Sequence, residues 1–283
     1  MALTFIPTVW AARLLTALEK TLVYGQTQVA NRDYEGDIRD AGGSVKIASI
    51  GDVSIGDYVK NSDIDDPEVL TDTQQTLNID QAKYFNFFVD SIDRAQQNVN
   101  VLDEAMRRSA WALRDTADAY LAAAIEAAVL PGNTIGSEAA PIVPTSENAY
   151  EYLVDLGIKL DEANAPIEGR YVVVPAWFHG LLLKDDRFVN AGTLRSDRHL
   201  ANGMVGEAAG FSILKSNNVP NDEGEAFKII AGHSVATAYV EQILDLQSYK
   251  PEKRFGDAVK GLHVYGAKVV RPTALAMLIA DRA

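Results

Sequence analysis

The chain has 283 residues, 47% of them hydrophobic and 23% charged, which fits a folded protein of one large or two modest domains. It contains no cysteine, so disulfides, thiolate metal sites and thiol nucleophiles are excluded, in keeping with synthesis in a reducing cytoplasm. A net charge of −13 argues against a general binder of nucleic acid, though not against a container that merely encloses it.

Residues 7–24 read as an amphipathic helix, with Pro7 in its first turn, Val9, Trp10, Leu14, Leu18 and Leu22 near one face, and Gly25 at its end. The opening MALTFIPTVWAARLL lacks the leading positive charge of a secretory signal, and no apolar run approaches the roughly eighteen residues of a membrane span. Secretion and membrane insertion are not expected. From 31 to 82 the chain turns polar, with short alternating pieces at Val45/Ile47 and Leu77/Ile79 around the acidic stretch NSDIDDPEVLTD. So little apolar surface cannot support its own core, and the segment is expected to be an extended hairpin lying on something else. Residues 83–90, KYFNFFVD, read as an aromatic strand.

A long helix is expected from about 98 to 130. Asn98 or Asn100 would cap it, Leu102, Met106, Ser109, Leu113, Thr116, Tyr120 and Ala124 would form its inward seam, and Pro131-Gly132 would stop it. A second helix over 147–160 would start from Ser146 and turn Tyr150, Leu153, Leu156 and Leu160 inward. Strands follow at 171–174, 211–214 and 227–231, with a short helix at 175–183 and a loop region at 190–210. The last third, 242–247, 262–270 and 274–279, reads mostly as strand. The sum is an α+β chain dominated by one helix.

Charge is uneven along it. Residues 31–80 carry twelve acids and four bases, 4 − 12 = −8, whereas residues 250–283 carry seven bases and three acids, 7 − 3 = +4. Either these are two solvated surfaces, or they are complementary patches on neighbouring copies. The second reading singles out Asp63, Asp65, Asp66 and Glu68 opposite Lys250, Lys253, Arg254 and Lys260 as an inter-subunit contact.

Chemistry is scarce. His179, His199, His233 and His263 are far apart, and neither an HExxH nor a calcium-loop spacing occurs. The Asp63, Asp65, Asp66, Glu68 group lacks the Gly and the closing Glu of a calcium loop, and no phosphate-cradling glycine motif is found. Gly232-x-Ser234-x-Ala236 is a relaxed nucleophile-elbow pattern, followed by Asp257 and His263 in the order of α/β-hydrolases. The alternating strand–helix units of that fold are missing, so this serine hydrolase is a remote alternative. No catalytic residue, cofactor or metal is expected.

Four blocks of the C-terminal half, RYVVVPAWFHGLLLKDDRF, GMVGEAAGFSILKSNNVP, IIAGHSVATAYVEQI and RFGDAVKGLHVYGAKVVRPTAL, resemble tailed-bacteriophage major capsid proteins of the Hong Kong ninety-seven type. The order of the pieces is similar over nearly the whole chain. The resemblance implies an N-terminal arm (1–35), an extended loop (36–82) and a peripheral domain (83–145) holding the long helix as its spine. It further implies an axial domain (146–231) and strands returning to the periphery (232–283). It implies a non-enzymatic coat subunit that assembles with itself, as hexamers and pentamers, into an icosahedral shell around double-stranded DNA, bound without sequence specificity. The host cytoplasm would be the place of assembly and the virion the destination. A separate scaffolding protein is implied, because no long N-terminal assembly segment is seen, together with a portal and a possible decoration protein. The alternative with the same fold is an encapsulin-like shell of a cellular compartment, which encloses a cargo protein instead of DNA.

Overall fold

The structure is a computed structural model that describes residues 23–34, 44–50, 55, 57, 58, 60, 63, 72–90, 101–185, 206–253 and 256–282. The expected helix at 7–24 lies outside the described residues up to position 22, as do Asn98 and Asn100 and most of the 190–210 loop. β1 (Ser44–Ile50) and β2 (Asp72–Asn78) form the hairpin, with Val45 opposite Leu77 and Ile47 opposite Gln75. β3 (Gln81–Asp90) and the helix α1 (Val101–Glu126) follow. Then come β4 (Thr134–Ile135), α2 (Ala149–Glu162), β5 (Arg170–Val174) and α3 (Ala176–Lys184). The rest is β6 (Glu207–Ala208), β7 (Phe211–Lys215), β8 (Phe227–His233), β9 (Thr237–Tyr249), β10 (Gly256–Val269) and β11 (Leu275–Ala280).

Two larger sheets organise these elements. A six-stranded mixed sheet runs β4-β11-β8-β5-β7-β6, and a three-stranded antiparallel sheet runs β3-β10-β9. All five residues of β5 are buried, the mark of a strand covered on both faces. Its cover includes Leu153, Leu156 and Leu160 of α2 and Phe178 and Leu182 of α3, which share one core with β5, β8 and β11. β11 pairs with β8, so the end of the chain belongs to the same sheet as residues 170–233. The 231/232 boundary read from sequence falls inside β8.

At about 1.5 Å per residue α1 is close to 40 Å long, and it spans both sheets. Its buried row is Met106, Ala110, Leu113, Ala117, Leu121 and Ile125. The seam read from the sequence is correct at Met106 and Leu113 but not at Thr116, which is exposed and donates its hydroxyl to the Ala112 carbonyl at 2.9 Å. Steps of four residues advance about 40° round a helix, so such a row drifts. The drift carries α1 from the three-stranded sheet, where Tyr120 meets Tyr265 edge-on at 5.4 Å, to the large core at Leu121 and Ile125. The helix ends at Glu126, short of 130, because Ala128 and Val129 close tighter turns on Ile125 and Glu126. The cap of α2 is Asn148, not Ser146, and its side chain accepts from the Thr145 amide at 2.7 Å.

The three-stranded sheet is covered on opposite faces by different elements. Tyr265 of β10 faces α1, while its alternates Val264 and Gly266 face the hairpin root, where Ile47, Leu77 and Ile79 pack on Val264, Ala238 and Val240. Gly266 makes this approach possible: a Cβ there would stand 2.4 Å from the Asn78 carbonyl oxygen and 3.0 Å from the Ile79 Cα. Both obstacles are backbone. Gly266→Ala should therefore lift the hairpin root off the sheet and lower the unfolding midpoint, at a cost of about 1–3 kcal/mol. An unchanged midpoint in thermal or denaturant unfolding of the isolated subunit would show that the root can yield.

Candidate assembly surfaces

The N-terminal segment is the first piece the sheet must hold. Asn31 forms a parallel bridge with Ala238, its amide donating to the Thr237 carbonyl at 2.8 Å while the Tyr239 amide donates back at 2.9 Å. Next to it Arg32 reaches into the α1-facing side of the sheet. Its guanidinium pairs with Glu241, stacks 5.6 Å from the Tyr239 ring centre and donates to the Gly25 carbonyl at 3.3 Å. Glu241 also accepts the Tyr239 hydroxyl at 2.8 Å and lies 3.3 Å from His263 Nε2. Burial alone would push the Glu241 carboxyl up, but His263, the Arg32 charge and the Tyr239 hydroxyl together hold it below the usual carboxylate range. Eight residues upstream of Asn31, the Val23 and Tyr24 amides both donate to Asp118 of α1 at 2.9 Å. Sequence reasoning missed this clasp. The available signal was a lone acid, Glu241, in the apolar strand ATAYVEQIL, since a buried charge requires a partner.

The hairpin has a definite direction. Gln75, three residues outward from Asn78, donates its side-chain amide to the Val270 carbonyl at 3.2 Å. From its root at Gly266 the hairpin thus runs towards Val270, away from Lys260. Lys260 sits six residues, or about 20 Å, back along β10. Lys250 and Lys253 are exposed on the turn between β9 and β10, at that same far end. Within one subunit, then, the described hairpin strands run towards the end of the three-stranded sheet opposite the basic turn. Of the eight residues proposed as a contact, the structure describes Asp63, Lys250, Lys253 and Lys260. All four are exposed, and Asp65, Asp66, Glu68 and Arg254 lie outside the described residues. Ile55 and Tyr58, on the chain joining the hairpin strands, are 98% and 75% exposed.

The hairpin root covers only half of its face of the sheet. Among the described residues, the other half presents Tyr84, 78% exposed, with Asn86, Lys260, Gln247 and Tyr249. Lys260 stands 5.5 Å over the Tyr249 ring, and the Tyr249 hydroxyl bonds Asn86. A bulge makes this grouping. The β9–β10 ladder pairs His263 with Ile243 but Leu262 with Asp245, passing over Leu244. One extra residue exchanges the faces, so Tyr239 and Glu241 look towards α1 whereas Gln247 and Tyr249 join Lys260 on the open side. A hollow of about 280 Å³ beside the basic turn is lined by Asn86, Phe87, Phe88, Tyr249, Pro251 and Ala258.

The hydrolase constellation does not assemble. Ser234 starts a 3-10 turn before β9, where the His233 side chain accepts from the Val235 amide. His263 is buried against Glu241, and the ladder places it six residue pairs, about 20 Å, from the Thr237 end of β9. Asp257 lies six residues from His263 in the opposite direction. The three side chains are strung along one ladder, not gathered round a reacting atom. Among the described residues no group of three His, Asp or Glu is placed to hold a metal ion, and no helix is long and apolar enough to cross a membrane.

A family model described as phage capsid protein matches residues 73–278. A solved structure from Mycobacterium phage Che8 is 29% identical, with a TM-score of 0.73 over 91% of this chain and 91% of that one. The capsid structure of the cyanophage P-SCSP1u is 19% identical, with a TM-score of 0.66 over 87% and 85%. A virus-like particle from Pyrococcus furiosus is similar in fold at 16% identity, with a TM-score of 0.60 over 95% and 97%. No curated protein sequence matches the chain.

The clasp makes a pH prediction. A carboxyl held below its unfolded value contributes stability that is complete above the unfolded value and is lost as pH falls through the folded one. Replacing Glu241 with Gln should flatten that acid limb. It should also cost about 3–5 kcal/mol at neutral pH, because the buried ion pair of Glu241 with Arg32 is broken. Denaturant unfolding of wild type and variant across the acid range checks both effects.

Proposed function

The chain belongs to the phage capsid protein family, and on that premise we propose that its copies form hexamers and pentamers that close into an icosahedral shell around double-stranded DNA. It is a structural protein of the viral capsid, it has the capsid fold, and its place is the virion. The family match over residues 73–278 is the observation that carries the reading. Likeness to the Pyrococcus furiosus particle is likeness of fold and lends the cellular-compartment alternative nothing further.

Residues 1–35 act as an arm and 36–82 as a loop crossing a neighbour. The region 83–145 is the periphery of the subunit, 146–231 the part turned to capsomer centres, and 232–283 the return to the periphery. Assembly takes place in the host cytoplasm with a separate scaffolding protein and a portal, and a decoration protein can be added outside. The contact between copies sets Asp63, Asp65, Asp66 and Glu68 of one subunit against Lys250, Lys253, Arg254 and Lys260 of the next. Two observations support it. The described strands of the hairpin, Ser44–Ile50 and Asp72–Asn78, run away from the basic turn of their own subunit, which favours a meeting between copies. The open half of the sheet offers Tyr84 and Tyr249 around Lys260, apolar surface of the kind that Ile55 and Tyr58 require. The apolar hairpin residues Ile47, Leu77 and Ile79 are not available for this contact, because they are buried within the subunit.

Each exposed pair contributes under about 1 kcal/mol, yet a shell repeats the contact many times, and closure engages all copies together. Expressed with its scaffolding partner, the protein should sediment as particles, and persistent monomer or dimer would refute the assembly reading. Changing Asp63, Asp65 and Asp66 to Asn and Glu68 to Gln should leave the subunit folded but slow particle formation at low salt. Light scattering should show the difference shrinking at high salt, where screening takes over. Equal rates at every salt concentration would mean that the acidic loop is merely solvated.

A further inference from the structure

One surface is used by neither the fold nor the proposed contact. Residues 105–114 of α1, AMRRSAWALR, hold three arginines and no acid in a chain of 39 acids and 26 bases. Trp111, 58% exposed, stands at their centre, with Arg107 and Arg108 a turn before it and Arg114 a turn after. Seven residues separate Arg107 from Arg114, two turns along one face, and the buried Leu113 points the opposite way, towards the sheet. Arg114 lies over the Trp111 ring at 5.6 Å, so the indole acts as a platform that orders the guanidinium. Arg108 also lines, with Lys83, Tyr84 and Phe85, a groove of about 620 Å³ between β3 and α1.

Acids bracket the stretch in sequence, Asp103 and Glu104 before it and Asp115 and Asp118 after it, and the Arg114 charge acts on the Asp118 carboxyl. Asp115 accepts from the Asn218 side chain at 2.9 Å, and Asp118 is buried beneath the Val23 and Tyr24 amides. Arg107 and Arg108 each make a further interaction within the chain. Five N–H donors per guanidinium leave room for another ligand, and what matters here is their exposure and charge.

We propose that the Arg107, Arg108 and Arg114 face of α1, with Lys83 across the groove from Arg108, binds the phosphate backbone of double-stranded DNA. This rests on the reading that the shell encloses DNA, and it adds a contact where the net charge of the chain suggests only repulsion. Phosphate contacts need positive charge and N–H donors but no base-reading geometry, so the binding is independent of sequence. A partner protein is the competing occupant, since exposed Trp and Arg are also common at protein interfaces. The exposure of Arg107 and Arg108, the indole platform that orders Arg114, and the exposed Lys83 across the groove from Arg108 favour a polyanion.

The test measures a duplex of about 30 base pairs binding to unassembled subunits by fluorescence anisotropy over a salt series. Wild type is compared with the triple variant Arg107→Gln, Arg108→Gln, Arg114→Gln and with each single variant. Wild-type affinity should fall linearly with salt on logarithmic axes, by about 0.9 per phosphate neutralised. The triple variant should bind at least about tenfold more weakly at low salt, with a slope shallower by about two to three. Its particles should still form with the scaffolding partner. If the triple variant does not fold, graded losses in the single variants sustain the proposal, and unchanged single variants overturn it. It is overturned equally if wild type does not bind, if the variant binds like wild type, or if a folded variant binds DNA normally yet no longer assembles, which makes the face a protein interface. Wild type that never forms particles would instead defeat the shell reading itself.

Discussion

A three-stranded sheet has two faces, and this one must cover both with elements that cannot fold alone. α1 takes one face through Tyr120 against Tyr265, and the hairpin root takes half of the other through Ile47, Leu77 and Ile79. Everything else about the assembly surfaces follows from that unequal cover. The close approach of Asn78 to Gly266 fixes where the hairpin begins, and the bond from Gln75 to Val270 fixes where it points. What the hairpin leaves bare is half a sheet face bearing two tyrosines and a lysine. A monomer seldom retains such a surface without a partner.

The same sheet solves a second problem, that of holding a polar N-terminal segment. A few backbone bonds at Asn31 would be easily lost in water. Burying the Arg32–Glu241 pair beneath them makes detachment costly, because either charge left alone in that interior is far from neutral in energy. Arg170, 5% exposed, is treated likewise: it donates to Asp161 and to the Pro166 and Ala165 carbonyls, tying the end of α2 to the start of β5. Buried charge in this chain marks joints between elements, where apolar packing alone would allow sliding.

Much of the architecture was legible in the residues. Strong periodicity exposed α1, α2 and the hairpin, and Pro131-Gly132 signalled the stop after α1. What stayed hidden depends on pairing between distant strands. No local pattern places β11 between β4 and β8, and nothing in Gln242–Val269 announces that Leu244 is passed over. Gly266 was a usable clue, since a glycine within an alternating strand such as LHVYGAKVV marks a close backbone approach. The seam of α1 failed at Thr116 because a fixed 3-4 alternation assumes one flat partner, while this helix crosses from one sheet to another. The charge asymmetry was visible at once, whereas the direction of the hairpin strands was not.

That direction also bears on how one sequence can serve many positions in a closed shell. Subunits in hexamers and pentamers meet at slightly different angles, so a contact that tolerates no change of angle would hinder closure. Under the proposed contact, ion pairs formed by the hairpin would vary slowly with distance and angle, unlike the interlocked side chains of a core. The stiff contacts of this chain, the close approach of Gly266 to Asn78 and the Arg32–Glu241 pair, lie inside the subunit, where the geometry is the same in every copy. The charged and aromatic groups lie outside it, where the geometry must vary. Separating stiff contacts from adaptable ones in this way lets a single fold be repeated without strain.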